Sequence, residues 1–162
     1  MEIIESNTNE ISDKSFKGVA TALLENIYAK ESNESLIHND GKLCRDGGDL
    51  FDLEHETTDG IYLRRMTLNE GTGIISGIHK RDHTWILLHG RITVSSEDGI
   101  FEYSAPFVGF SNSGTQRFIY ANEFSIFQNV FKNPENIQDL DKLEDYNYCT
   151  TQEEYEEYKK NN

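Results

Sequence analysis

Three of the five histidines fall within eleven residues, at His79, His83 and His89. An imidazole can ligate a metal, move a proton near neutral pH, or hydrogen-bond an anion, so the use of this group depends on which rings converge. On one straight strand His79 and His83 would stand about 13 Å apart at ~3.3 Å per residue, too far to share a ligand. A bend at Lys80-Arg81-Asp82 would instead let the two rings face each other. Along the strand that follows, His83, Trp85, Leu87 and His89 share one face. Arg117 adds a planar fork suited to a carboxylate or phosphate, and Trp85 a flat apolar wall. Two chemistries follow. One is a divalent metal on His79 and His83, completed by Gln116, His89 or Asp82. The other is a metal-free pocket in which His79, His83, Trp85, Gln116, His89 and Arg117 hold a small anion. Against both stands a purely structural use, with Arg117 paired to an acid such as Asp82, the histidines bonded to backbone, and Trp85 in the core.

The elements that must position these residues are mostly short and β-type. Runs at 61–68, 73–79, 84–89, 91–96, 100–104, 106–110, 115–120 and 124–131 are separated by turn residues, including Glu97-Asp98-Gly99, and predict an antiparallel barrel or sandwich. Ahead of them, Phe16, Val19, Ala20, Leu23, Leu24 and Ile27 recur at helical spacing, with Asp13 or Ser15 able to cap the start. Residues 31–49 are polar, broken by Gly41, Gly47 and Gly48, and predict a loop. After the barrel, Asn133-Pro134 reads as a helix opening, with Ile137, Leu140 and Leu143 at helical spacing. Thr151 and Glu154 form a second capping signal before Tyr155 and Tyr158. The organisation expected is an arm, helix and loop over 1–59, a barrel over 60–131 and an acidic helical extension over 132–162.

The chain carries 15 basic and 29 acidic residues, a formal charge of -14 over 162 residues. The acidity lies in the two flanks, while residues 61–131 are balanced and hold five of the six arginines. Such a charge opposes nonspecific nucleic-acid binding but leaves room for a small anion beside local arginines. No run approaches the ~18 apolar residues of a membrane span, and no signal sequence opens the chain, so a membrane role and secretion are not expected. Cys44 and Cys149 do not make a disulfide framework. Arg64 and Arg65 are adjacent, so on a strand only one can face inward.

The stretch GTGIISGIHKRDHTWILLHG at 71–90, followed by Asp98-Gly99 and by Ser113-Gly114-Thr115-Gln116-Arg117, resembles the cupin superfamily. In that comparison His79 falls on the second histidine of the His-x-His-x3-Glu cluster and His83 on the glutamate. Gly77 stands at the first histidine and Arg117 at the last. The segments GIHKRDH, SAPFVGF and GTQRFIYA are similar, more narrowly, to small single-domain cupin-like proteins of tailed phages. The resemblance implies a mainly β, double-stranded β-helix (jelly-roll) barrel with outer helices, and a degraded metal set that keeps two histidines. It implies a noncatalytic accessory or virion-associated protein of the host cytoplasm or virion, acting through homo-oligomerisation and protein partners. The alternatives are a cupin that binds or sequesters a small anionic metabolite or nucleotide signal, without a cofactor, and a cupin enzyme dependent on a divalent metal.

Overall fold

The computed structural model describes residues 15–18, 20 and 51–162. Val19, the helix expected beyond Ala20, the loop at 31–49 and Cys44 lie outside the described residues. Phe16, Lys17, Gly18 and Ala20 are helical, and the Gly18 N–H donates to Ser15 Oγ at 3.1 Å, so Ser15 caps the start. Ala20 is buried against Ile75, with Phe16 and Phe118 beside it.

From Phe51 onward the strands are β1 (Phe51–Thr58), β2 (Ile61–Leu68), β3 (Gly73–Ile75), β4 (Ile78–His79), β5 (His83–His89), β6 (Arg91–Ser96), β7 (Gly99–Ser104), β8 (Phe107–Ser111), β9 (Phe118–Ala121), β10 (Ser125–Lys132) and β11 (Tyr148–Cys149). Helices α1 (Leu140–Asn147) and α2 (Gln152–Asn161) close the chain. One sheet runs β1-β2-β10-β5-β8 and a second runs β3-β9-β6-β7, with β4 and β11 forming a separate pair. All pairings are antiparallel. The two sheets enclose one apolar interior, the antiparallel barrel or sandwich expected from the run pattern and the jelly roll that the cupin resemblance implies.

Alternation decides which residues enter that interior. On β2, Tyr62, Arg64, Met66 and Leu68 are buried while Ile61, Leu63, Arg65 and Thr67 are more accessible. Register then stacks the inward residues into layers across the larger sheet. Arg64 lies opposite Asn129, Asn129 opposite Trp85, and Trp85 opposite Gly109. The next layer is apolar: Met66 opposite Phe127, Phe127 opposite Leu87, Leu87 opposite Phe107. A polar layer thus sits one pleat from an apolar one, and this sets up the site.

Four local features differ from the sequence reading. The larger sheet begins at Phe51, because Asp59-Gly60, with Gly60 at φ 74°, is the two-residue turn of a hairpin between β1 and β2. The run at 73–79 splits into β3 and β4 at Ser76-Gly77, where the Ser76 backbone bonds Arg117 and its hydroxyl accepts the Arg117 N–H. Thr115-Gln116-Arg117 therefore lies in a loop ahead of β9. Asn133-Pro134 opens a turn and no helix. The Asn133 side chain takes both the N–H and the carbonyl of Ile137, Asn136 sits at φ 51°, and α1 starts only after its cap at Asp139.

The Thr151–Glu154 capping box is present at the start of α2. Both helices rest on the barrel. Leu143 of α1 is buried with Tyr62, Phe131 and Tyr148, and Tyr155 of α2 with Ile78 and Cys149. No helix among the described residues is long and apolar enough to cross a membrane.

Candidate functional site

The bend at Lys80-Arg81-Asp82 exists, and the C-terminal segment holds it closed. Lys80 Nζ donates to the Asp145 carbonyl and Arg81 Nη1 to the Tyr146 carbonyl. The Arg81 guanidinium also lies 3.7 Å from the Tyr146 ring centroid, within cation–π range. From the other side Asp82 Oδ1 accepts the Ser113 N–H at 2.8 Å, and Ser113 Oγ donates to the Lys80 carbonyl at 2.8 Å. With the bend fixed, the His79 and His83 rings meet with centroids 4.1 Å apart and planes tilted by 34°. They do so from different ladders: His79 is paired with Tyr148 on β11, and His83 with Ser111 on β8. Phe131 packs against both rings.

Burial keeps both imidazoles neutral. It is the largest influence on His79, whose pKa falls well below the usual histidine range, and the neighbouring His83, Arg117 and Arg64 lower it further. Burial likewise brings His83 down to about 4; the Arg81 carbonyl acts against this and Arg117 adds to it. That carbonyl, 3.4 Å from Nδ1, accepts and cannot donate, so it places the His83 proton on Nδ1 and leaves Nε2 as a lone pair. Neither His83 Nε2 nor His79 Nδ1 has a hydrogen-bond partner among the described residues.

Beside this pair the barrel interior holds a cavity of about 50 Å³. One water needs roughly 10–15 Å³ on this measure, so there is room for a small molecule and none for a nucleotide. Its polar wall is Arg64, Ser76, His79, Arg117, Asn129 and Tyr148. Its apolar wall is Phe51, Met66, Ile74, Ile75, Ile119 and Phe127. No acidic side chain among the described residues lines it. Arg117 is buried with its guanidinium 5.7 Å from the Trp85 ring centroid. Burial lowers its pKa, yet a guanidinium starts so far above neutrality that it stays charged. Arg64 leans on the Tyr148 ring at 5.4 Å; burial opposes its charge, but Tyr148 and Tyr62, with Glu144, hold its pKa above the usual value. The cavity therefore carries two cations, one neutral imidazole, that of His79 with His83 stacked behind it, and an apolar floor.

Of the residues singled out in the sequence, His79 and Arg117 line the cavity, and His83 stacks behind His79. Trp85 is in the core, packed on Tyr103, Phe107 and Phe127, and presents its face to Arg117. Gln116 is buried and donates from Nε2 to the Ser76 carbonyl at 3.1 Å, fixing the loop that carries Ser76 into the cavity wall. His89 is not brought to the site. The register of β5 against β10 shifts between Ile126 and Phe127, so Leu88 and His89 both become exposed and His89 lies near Phe124. The sequence reading missed Arg64, Asn129 and Tyr148. Alternation along 61–68 and 124–131 carried the signal for the first two, whereas Tyr148 comes from a two-residue strand with no pattern of its own.

Asp82 is engaged with Ser113, Gln116 with Ser76, and His89 is remote, so none of the three completes a metal site with the histidines. Among the described residues no group of three or more His, Cys, Asp or Glu side chains converges. Two imidazoles facing two guanidiniums do not by themselves fit a divalent cation, because the arginines oppose its charge. Arg117 forms no ion pair with Asp82 or with any other carboxylate among the described residues.

No family model matches the sequence, and no curated protein does. Among solved structures, a salicylate 1,2-dioxygenase variant from Pseudoaminobacter salicylatoxidans superposes with TM-score 0.50 at 9% identity, over 57% of this chain and 29% of that one. The fold is that of the cupins. A cupin described as RmlC-like from Shewanella frigidimarina is similar over 59% of this chain and 84% of its own, with TM-score 0.48 and 12% identity. KdgF from a Halomonas species is similar over 60% and 94%, with TM-score 0.48 and 16% identity. Identities this low speak to the cupin fold alone. None of the three is described as a phage or virion protein, so the virion-associated role expected from the sequence draws no support from them.

Proposed function

We propose that this cupin-type barrel binds a small anion in its interior, without a metal, and acts as a binding or sequestering protein. The observation that carries the reading is Arg117: a buried guanidinium that forms no ion pair and faces a cavity that no carboxylate among the described residues lines. A buried charge without an ion-pair partner is costly, and an anionic ligand beside Arg117 would supply one, with Arg64, itself held by Tyr148 and Glu144, at the same end. The neutral His79 adds a hydrogen-bonding group at the same end without adding a charge that a ligand would have to match. The small cavity argues against the nucleotide among the ligands considered from the sequence. The C-terminal helices, expected to meet the barrel or a partner, spend their apolar faces on the barrel, which weakens the case for an accessory role built on them.

The test is thermal unfolding of the purified full chain, freed of metal by chelation, against a panel of small inorganic and organic anions. Saturable stabilisation of about 2.7 kcal/mol at a hundredfold excess over Kd is expected, and Arg117→Gln should abolish it. Stabilisation by no anion, or a stoichiometric divalent metal that His79→Ala releases, would overturn the reading in favour of a structural or a metal-dependent protein respectively.

A further inference from the structure

The proposed anion site has a second half that the charge argument leaves unused. On β2 the inward residue after Arg64 is Met66; on β10 the inward neighbour of Asn129 is Phe127; and two residues beyond Arg117 stands Ile119. Arg64 and Asn129 are register partners, as are Met66 and Phe127, so on the larger sheet the polar and apolar layers are adjacent and parallel. The smaller sheet repeats the step, with Ile119 paired to Ile74. Residues two apart on one strand are separated by roughly 6.6 Å, which sets the distance from the cationic end of the cavity to the middle of its apolar end.

Resting on the small-anion reading above, the geometry points to a more specific ligand class: a short aliphatic monocarboxylate, its carboxylate between Arg117 and Arg64 and its hydrocarbon body against Met66, Phe127, Ile74 and Ile119. Phosphate and sulfate present oxygen on every side and would turn some of it toward an apolar wall that offers no donor. A sugar acid or dicarboxylate would bury hydroxyls or a second charge there unpaired. At roughly 10–15 Å³ per water-sized group, a cavity of about 50 Å³ takes a carboxylate with a body of one or two carbons and excludes a long acyl chain.

Calorimetric titration of the full chain at neutral pH with formate, acetate, propionate and inorganic phosphate tests this. Each carbon buried on the apolar wall should tighten binding about fourfold, so propionate should bind about tenfold or more tighter than formate, with phosphate no better than formate. Ile119→Thr shortens the side chain and places a hydroxyl in the apolar wall, so it should cut the propionate-to-formate ratio severalfold, with Ile74→Thr as the second variant should the first fail to fold. Formate or phosphate binding as tightly as propionate overturns the monocarboxylate class while leaving the small-anion reading intact. Heat from none of the four overturns both.

Discussion

Gly109 lies directly beneath the indole of Trp85: the two are register partners on β8 and β5, and a Cβ on Gly109 would fall 2.1 Å from Trp85 Cε2. No backbone turn demands this glycine. The ring itself occupies the space, and the same ring carries Arg117 on its face. Gly109→Ala must therefore displace the tryptophan, which overpacking data put at about 1–3 kcal/mol of lost stability. The chain has a single tryptophan, so its fluorescence reports the displacement without ambiguity. An unchanged emission spectrum and melting temperature would show that the indole does not require a glycine at position 109.

Stability should fall as the solution is acidified from about pH 6.5 toward pH 4. An unfolded histidine takes up a proton near pH 6.5, whereas folded His83 does so only near 4 and folded His79 well below the usual range. Between those values protons bind the unfolded chain preferentially, so the stabilisation is complete above about 6.5 and is lost progressively below it. At about 1.4 kcal/mol per unit of displacement, His83 alone accounts for roughly 3 kcal/mol by pH 4. Denaturant unfolding at a series of pH values should show the decline, and His83→Asn should flatten it.

Arg64 and Arg65 should behave oppositely although they are neighbours in sequence. Arg65 lies on the outer face, paired at 2.9 Å with Glu54, and surface pairs of this kind contribute about 0–1 kcal/mol. Arg65→Ala should change the melting temperature little and leave anion binding untouched. Arg64→Met removes a buried cation that Tyr148 and Glu144 hold charged, so it should lower stability as well as weaken anion binding at least tenfold. A variant that keeps full affinity would remove Arg64 from the ligand site.

How much of this was legible beforehand follows from the range of each signal. Alternation along 61–68 and 124–131 is local and survived folding, as did the two-residue turn before Gly99 and the capping box at Thr151. The convergence of His79 and His83 was legible only as a condition on the bend, because what closes the bend lies 65 residues away along the chain. His89 was misplaced because strict alternation was extended through a register shift, and nothing in the β5 sequence marks the shift. The choice between Arg64 and Arg65 required knowing which face of β2 is covered, a fact held by its partners.

Arg81, together with Lys80, makes the bend depend on the C-terminal segment. Its guanidinium sits on the Tyr146 ring and donates to the Tyr146 carbonyl, a contact expected to contribute about 1–2 kcal/mol when desolvated. Arg81→Ala should lower stability by that amount and broaden the NMR resonances of His79 and His83. Arg81→Lys should recover only part of the loss, since an ammonium cannot stack as a planar guanidinium does. Sharp histidine signals in Arg81→Ala would show that the bend stands without its clamp.

The clamp also fixes a temporal order on synthesis. During translation the barrel strands through Lys132 are made before Asp145 and Tyr146, so the sheets have their sequence in hand while the residues that close the bend have yet to be added. Tyr148, a wall of the cavity and the β-partner of His79, arrives in the same late segment. A nascent chain that ends at β10 lacks that wall and the clamp, so the cavity is complete only once the segment through Tyr148 has been added. The proposed ligand site would thus take shape after every strand of the larger sheet has been made.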